Sequence, residues 1–429
     1  MENTMTYQVD TSQLKGNITV PPSKSHTMRA ILLASLATGR STVRGYLPSP
    51  DTDAMITACV HLGAHIEKMQ NTLIIEGNAG ALTVPKQVID VGNSGQVLRF
   101  VAALAALMPH YTVITGDASI CNIRPMDPLL QALSQAGALA VSTKGDGHAP
   151  IVIRGPITAS HMVLDGQDSQ PVSALLMMAA FLEGETTIEV RDPGEHPWIN
   201  LTLYWLDRLG ISYENNQFET YKVRGPTHYT GFDYTVPGDW SSAAFPIAAA
   251  LITHSELTLE NLDFEDPQGD KAILFALQKM GAKFEIDPSR NQLKVLPHAG
   301  LVGSDINVNE MVDALPILAT IACFAKSDTH ISGAAIARHK ECDRIAAITQ
   351  ELKKMGADIE ERPDGLVIKP RQLQGADVHS WHDHRIAMSL AIAGLSCGST
   401  KIADTHCVAK SYPDFVTSFQ SLGAKLCLI

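Results

Sequence analysis

The chain has 429 residues, too many for one ordinary hydrophobic core, so about two domains are expected. Its formal net charge is −12 with no long block of one sign, which argues against a nucleic-acid partner, because such a partner needs a basic face. An anionic small molecule stays open, since a local cluster of cations overrides a distant global field.

No N-terminal stretch joins a basic region to an apolar core, so no secretory leader is expected. The longest apolar runs, such as "FVAALAALM" from Phe100, are too short to cross a bilayer, and no membrane partner is expected. Cys59, Cys121, Cys323, Cys342, Cys397, Cys407 and Cys427 are odd in number and form no C-x-x-C pair. They read as reduced thiols of a cytoplasmic protein.

In chain order, six helices are predicted that are apolar nearly all round and so belong in a core. They begin near Lys24 ("KSHTMRAILLASLA"), Ser94 ("SGQVLRFVAALAAL"), Ser169 ("SQPVSALLMMAAFL"), Trp240 ("WSSAAFPIAAALIT"), Met311 ("MVDALPILATIACF") and Asp383 ("DHRIAMSLAIAGL"). After each comes an amphipathic stretch that closes on a glycine and a short strand: "LGAHIE" at Leu62, "AGALAV" at Ala136, "LGISYE" at Leu209, "MGAKFE" at Met280, "MGADIE" at Met355 and "LGAKLC" at Leu422. The six glycines recur every 67 to 75 residues. A solenoid is the alternative reading, but solenoid units usually run about 20–50 residues. A unit this long, with two helices and several strands, makes a subdomain. Six units give two pseudo-threefold domains.

The polar residues sit where these helices start: Ser23, Lys24 and Ser25; Asn93, Ser94 and Gly95; Asp168, Ser169 and Gln170; Asp239, Ser241 and Ser242; Asp313; Asp383, His384 and Arg385. Capping explains Asp239, Ser241 and Ser242. It does not explain the cations. Lys24, Arg29, Arg99 and Arg385 lie in or near first turns, where a positive charge opposes the helix dipole unless an anion lies between. Ser25 and Arg29 are four apart and share a helix face. Arg124, Lys340, Arg344 and Lys410 add further cations, with Glu341 among them. The pattern predicts an anion at convergent helix ends.

These motifs resemble the 5-enolpyruvylshikimate-3-phosphate synthase family of the enolpyruvyl transferase superfamily. "PPSKSHTMRA" is similar to its P-x-S-K-S-x-x-x-R-A signature, and "GNSGQVLRF" to G-N-[AS]-G-x-x-x-R. "TGD…IRPM" resembles T-G-D-x-x-x-x-x-R-P, "RHKECDR" resembles K-E-[ST]-D-R, and "HDHRIAM" resembles D-H-R-x-A-M. The resemblance covers essentially the whole chain. It implies an α/β (α+β) fold of two pseudo-threefold domains, each of three βαβαββ units with buried parallel helices. Residues 1–18 with 238–429 would form the first domain and 19–237 the second. The active site would lie in an interdomain cleft that closes on the substrates.

The implied reaction transfers the enolpyruvyl group of phosphoenolpyruvate to the 5-hydroxyl of shikimate 3-phosphate and releases phosphate. No metal, no cofactor and a monomer are implied. By motif position, Lys24, Asn93, Gly95, Arg124, Arg344, Arg385 and Lys410 would bind phosphoenolpyruvate. Lys24, Ser25, Arg29, Ser169, Gln170, Asp313 and Lys340 would bind shikimate 3-phosphate. Catalysis would fall to Lys24, to Asp313 as base toward the 5-hydroxyl, to Glu341 as proton donor to the methylene, and to His384 beside it. Arg99 reads as structural.

The sequence departs from the family pattern at Asp168, where a phosphate-binding serine is more usual, and at "GEHPWIN", where Glu195 and His196 replace phosphate ligands and Trp198 takes the aromatic place. Asp168 is therefore expected to turn away and cap its helix, leaving the phosphate to Ser169, Lys340 or His196. Gln96 also replaces a usual threonine. Two rival readings are a UDP-N-acetylglucosamine enolpyruvyl transferase, for which Cys121 ahead of Arg124-Pro125 would be the loop cysteine, and a catalytically inactive anion-binding relative. Ser25 after Lys24 opposes the first, and retention of both acids and every cation opposes the second.

Overall fold

The computed structural model describes residues 5–429. The chain divides into two compact units, Met1–Pro21 with Pro237–Ile429, and Pro22–Val236. Each has its own apolar core: one gathers Val9, Phe245, Leu318 and Ile392, the other Leu32, Val101, Leu176 and Trp205.

Among the described residues there are six four-stranded sheets, and all six share one pattern. Two strands run parallel, and two more follow antiparallel. In one sheet His161–Asp165 pairs parallel with Gly184–Arg191, which pairs antiparallel with Thr220–Gly225, which pairs antiparallel with Tyr213–Asn216. The parallel pair needs a crossover, and the Ser169–Ala179 helix supplies it. The order is therefore β-α-β-α-β-β. Three sheets complete themselves with strands distant in sequence. Asp233–Thr235 joins Thr38–Arg44, Lys15–Thr19 joins Glu256–Glu260, and Tyr7–Asp10 sits between Thr400–Ala403 and Lys425–Leu428.

The second helix of each unit ends as the sequence predicts. Gly63, Gly137, Gly210, Gly281, Gly356 and Gly423 all have positive φ, between 68° and 106°. This left-handed step turns each helix into the strand that follows, and glycine takes it without a Cβ clash.

The buried helices span Lys24–Leu36, Gly95–Ala105, Ser169–Ala179, Trp240–Ile252, Leu315–Ala322 and His384–Cys397. Five of them carry side-chain caps, from Ser23, Ser94, Asp168, Asp239 and Asp383. The fifth helix corrects the sequence reading. It starts at Leu315, not near Met311, and Asn309–Ala314 forms a 3-10 turn with Met311 outside helical geometry (φ −142°). Pro316 explains this start, because proline lacks the N–H that a longer helix would use there and suits a first turn. Asp313 thus rides on the 3-10 turn rather than on a helix cap.

Candidate active site

The predicted site residues fall into one group in each unit. In the Pro22–Val236 unit, the starts of its three buried helices meet. Gln96 Nε2 donates to Ser25 Oγ at 3.3 Å. A Cβ on Gly95 would stand 2.6 Å from an Arg124 nitrogen, 2.8 Å from an Arg99 nitrogen and 3.1 Å from Gln170 Oε1. Glycine at that position lets two guanidinium groups crowd one helix start. Arg124 donates to Asn93 Oδ1 at 3.3 Å, and Asn93 is braced by Asp117 (2.6 Å) and Ser119 (2.8 Å). Lys24 Nζ lies 3.4 Å from the buried carboxylate of Asp51.

Arg29 is only 1% exposed, and its hydrogen bonds go to neutral groups. Its Nε and a terminal nitrogen donate to Thr202 Oγ1 at 3.0 and 2.8 Å. The same terminal nitrogen also reaches the Trp198 carbonyl (3.3 Å) and Ser173 Oγ (3.5 Å), and the other donates to the Ser25 carbonyl (3.2 Å). The guanidinium also lies 5.3 Å from the Phe100 ring centroid. Burial pushes its pKa down to about 9. A desolvated cation held by hydroxyls and carbonyls is poised for an anion.

The third helix start is differently arranged. Asp168 Oδ1 accepts from the Gln170 amide at 3.0 Å, and its other oxygen lies 3.5 Å from Arg99. Glu195, buried and left-handed (φ 49°), accepts from both the Ser169 amide (3.1 Å) and the Ser169 hydroxyl (3.0 Å). A carboxylate therefore already occupies the anion position of this helix. His196 stacks on Phe218 at 4.3 Å and is tilted 17° from it. Trp198 is buried, and its carbonyl accepts from Arg29.

In the other unit, Arg344, also 1% exposed, is gripped by three carboxylates. Its Nε donates to Asp383 Oδ2 at 2.7 Å, and its two terminal nitrogens to Asp313 (2.6 Å) and Glu341 (2.7 Å). Arg385 donates to the second oxygen of Asp313 at 2.8 Å, and Lys410 to the second oxygen of Glu341 at 2.8 Å. Asp383 also caps the sixth buried helix through the Arg385 amide at 2.8 Å. His384 Nδ1 lies 3.7 Å from Asp383. Asp313, Glu341, Arg385, Arg344 and Lys410 are thus brought into one hydrogen-bonded cluster, with His384 beside it and Lys340 near enough for its charge to act on Asp313.

Two carboxyls here titrate oppositely. Burial pushes Asp313 up, but Arg385, Arg344 and Lys340 outweigh it and hold the carboxyl well below its usual range. Asp270, buried and bonded by the Ser241 hydroxyl, is raised to about 7 by burial and by the Asp313 charge. Asp313 is therefore the carboxyl held ionised, while Asp270 keeps its proton to a higher pH than an ordinary carboxyl.

Asp51, Thr202 and Asp270 escaped the sequence reading as partners of the site, because their contacts are made across the fold. Asp383 was visible as a helix opener but not as the clamp on Arg344.

The family model for EPSP synthase (3-phosphoshikimate 1-carboxyvinyltransferase) matches residues 9–419. The chain belongs to the EPSP synthase family. It is 43% identical to the 3-phosphoshikimate 1-carboxyvinyltransferase of Ruminiclostridium cellulolyticum, over 99% of this chain and all of that one. It is also 43% identical to the enzyme of that name from Chlamydia caviae, over 98% of this chain and 94% of the relative. A solved EPSP synthase from Acinetobacter baumannii superposes with a TM-score of 0.82 at 28% identity, covering 99% of this chain and 100% of that one. The six repeated units and their sheets are those of this family's fold.

Proposed function

We propose that this chain transfers the enolpyruvyl group of phosphoenolpyruvate to the 5-hydroxyl of shikimate 3-phosphate, releasing phosphate, as a step toward chorismate and the aromatic amino acids. The carboxylate-held cluster on Arg344 carries the reading. It offers three cations for a phosphate and a carboxylate, and two acids for proton movement, in one connected set.

The chemistry is addition followed by elimination. The 5-hydroxyl oxygen bonds to C2 of phosphoenolpyruvate while a proton is added to its methylene carbon. The tetrahedral intermediate then expels phosphate and gives that proton back. Asp313, ionised by Arg385 and Arg344, accepts the hydroxyl proton. Glu341 serves the methylene. Arg344 and Lys410 each donate to one of its oxygens. Phosphoenolpyruvate, drawing those cations to its own oxygens, frees Glu341 to take up a proton. Lys24, Asn93, Gly95 and Arg124 contribute to the same substrate, and Lys24, Ser25, Arg29, Ser169, Gln170, Asp313 and Lys340 to shikimate 3-phosphate. Fixed cations stabilise charge without reorganising during the reaction. The reading requires groups from both units to serve one pair of substrates.

A UDP-N-acetylglucosamine acceptor finds no support. Cys121 lies in the short Ala118–Asn122 helix, where its thiol donates to the Gly116 carbonyl at 3.3 Å. All seven cysteines are unpaired thiols, which supports a cytoplasmic setting. Among the described residues no helix is long and apolar enough to cross a membrane. One chain supplies both groups of residues, which supports a working monomer.

The test is release of phosphate from phosphoenolpyruvate with shikimate 3-phosphate or with UDP-N-acetylglucosamine as acceptor. Turnover with the first alone is expected. Turnover with the second alone, or with neither, overturns the proposal.

A further inference from the structure

We propose that His379, His382 and Asp404 form a binding site for a divalent transition-metal ion of borderline softness, Zn²⁺ or a close relative. Two neighbouring parallel strands bring these residues together. His379 ends the strand Asp377–His379 and pairs in register with Ala403, the residue before Asp404. The chain then folds back sharply: Trp381, His382 and Asp404 all adopt left-handed backbone, with φ of 56°, 55° and 59°. Such conformations are sparsely populated by residues with side chains and persist only where the surroundings fix them.

The result is a compact donor set. One ligand atom from each of the three residues lies within 4.8 Å of the others. His379 Nε2 and Asp404 Oδ2 are 2.5 Å apart. The His379 and His382 ring centroids are 5.6 Å apart, and His406 lies 5.6 Å beyond His382. With metal–nitrogen bonds of about 2.0–2.1 Å, two imidazoles on one tetrahedral ion have centroids roughly 5–6 Å apart, so the rings need little movement. His382 is exposed and gives an ion access from solvent.

The frame behind these ligands is firm. Fully buried Glu351 accepts from the His379 amide at 3.0 Å and from Trp381 Nε1 at 2.9 Å. Ser380 Oγ donates to the Asp404 carbonyl at 2.7 Å and accepts from the His382 amide at 3.1 Å.

Donor chemistry selects the ion. Two imidazoles and one carboxylate suit zinc, cobalt or nickel, whereas magnesium and calcium prefer an all-oxygen shell. Capture has one internal consequence. The Trp381 amide donates to His379 Nδ1 at 2.8 Å, so Nε2 carries the ring proton and gives it to Asp404. An ion on Nε2 takes that proton's place, and the proton shifts to Nδ1, which releases the Trp381 amide. The turn so altered leads straight into Asp383 and Arg385, while Asp404 opens the 3-10 turn Thr405–Lys410. One ion would therefore link the two segments that carry Arg385 and Lys410.

The experiment titrates chelator-treated full-length protein with Co²⁺, reading its visible absorption, and then displaces the ion with Zn²⁺. Uptake of one ion per chain with a low-symmetry cobalt spectrum is expected. His382→Ala, at an exposed position, should bind at least about tenfold more weakly, and Asp404→Asn should do the same. A double change of the stacked pair His254 and His298 should leave binding unaltered. Absence of uptake by the wild-type protein, or equal affinity in His382→Ala, overturns the site. The readout needs no substrate, so it stands apart from the outcome of the transfer assay.

Discussion

Arg29 and Arg344 are equally buried, one in each unit, yet their surroundings oppose each other. Arg29 is held by hydroxyls and carbonyls, and burial alone lowers its pKa to about 9. Arg344 is also penalised by burial, but Asp383, Glu341 and Asp313 reverse the sign and raise its pKa well above the ordinary value. Burial does not decide the state of a charge; the partners do. The same repeated frame thus holds a buried cation in two ways. One unit keeps a cation short of negative charge. The other keeps its cations in a network of carboxylates.

The largest break in this contrast is expected at Arg344. Arg344→Met leaves three carboxylates facing one another with no central cation, and should cost about 3–5 kcal/mol of stability. A denaturant midpoint reads this. Arg344→Lys keeps the charge but replaces a three-way fork with a point, and should fold while losing roughly 10²–10³ in kcat/KM. A folded lysine variant with full activity would show that the fork's geometry is unimportant.

Arg29→Met should behave in the opposite manner. No carboxylate depends on Arg29, and Thr202 and Ser173 remain bonded to each other at 2.8 Å. Its denaturant midpoint should move far less than that of Arg344→Met. Affinity for shikimate 3-phosphate should fall by about 2–5 kcal/mol, measured calorimetrically. If the two methionine variants lose equal stability, the contrast drawn between the units is wrong.

Much of this was legible in the chain. A repeat of glycine-capped helices with a fixed spacing marks local backbone needs, and those are written in local sequence. Lysine and arginine at buried helix starts announce an anion, because nothing local explains them. What stayed hidden depends on strands and helices distant in sequence. Thr202 reaches Arg29 across 173 residues, and Asp383 reaches Arg344 across 39. Asp239, Ser241 and Ser242 looked like simple caps, yet Ser241 donates to Asp270, a carboxyl no motif contains. The histidines of "VHSWHDH" were read only through His384. The approach of His379 to Asp404 needs the parallel strand pairing that only the fold supplies.

A smaller effect is expected at Asp270. Its pKa is raised from 3.8 to about 7 in the folded chain, so its favourable contribution is whole below pH 4 and is lost as pH rises through 7. Asp270→Asn keeps an acceptor for Ser241 and removes the charge. Relative to wild type, the variant should gain stability as pH rises from 4 to 7 and keep that gain above 7. Parallel thermal melts across that range measure it. A constant difference at all pH values would mean that Asp270 is already ionised in the folded chain and that the Asp313 charge does not reach it.

The smallest effect concerns Glu195, and it tests whether the Pro22–Val236 unit is as open to anions as Arg29 suggests. Glu195 holds the amide and hydroxyl of Ser169, the two donors that a phosphate would use at this helix start. A carboxylate there gains from the helix dipole by about 0.3–1 kcal/mol, and an entering phosphate must forfeit that gain. Glu195→Gln retains the size and one acceptor but not the charge, so it competes less well. Affinity for shikimate 3-phosphate should therefore rise about two- to fivefold, while Ser169→Ala lowers it. If glutamine weakens binding instead, Glu195 is a support for Ser169 rather than a rival to the phosphate. The helix start would then belong to the scaffold, and Arg29 would hold the anion with less help from this side than the motif implies.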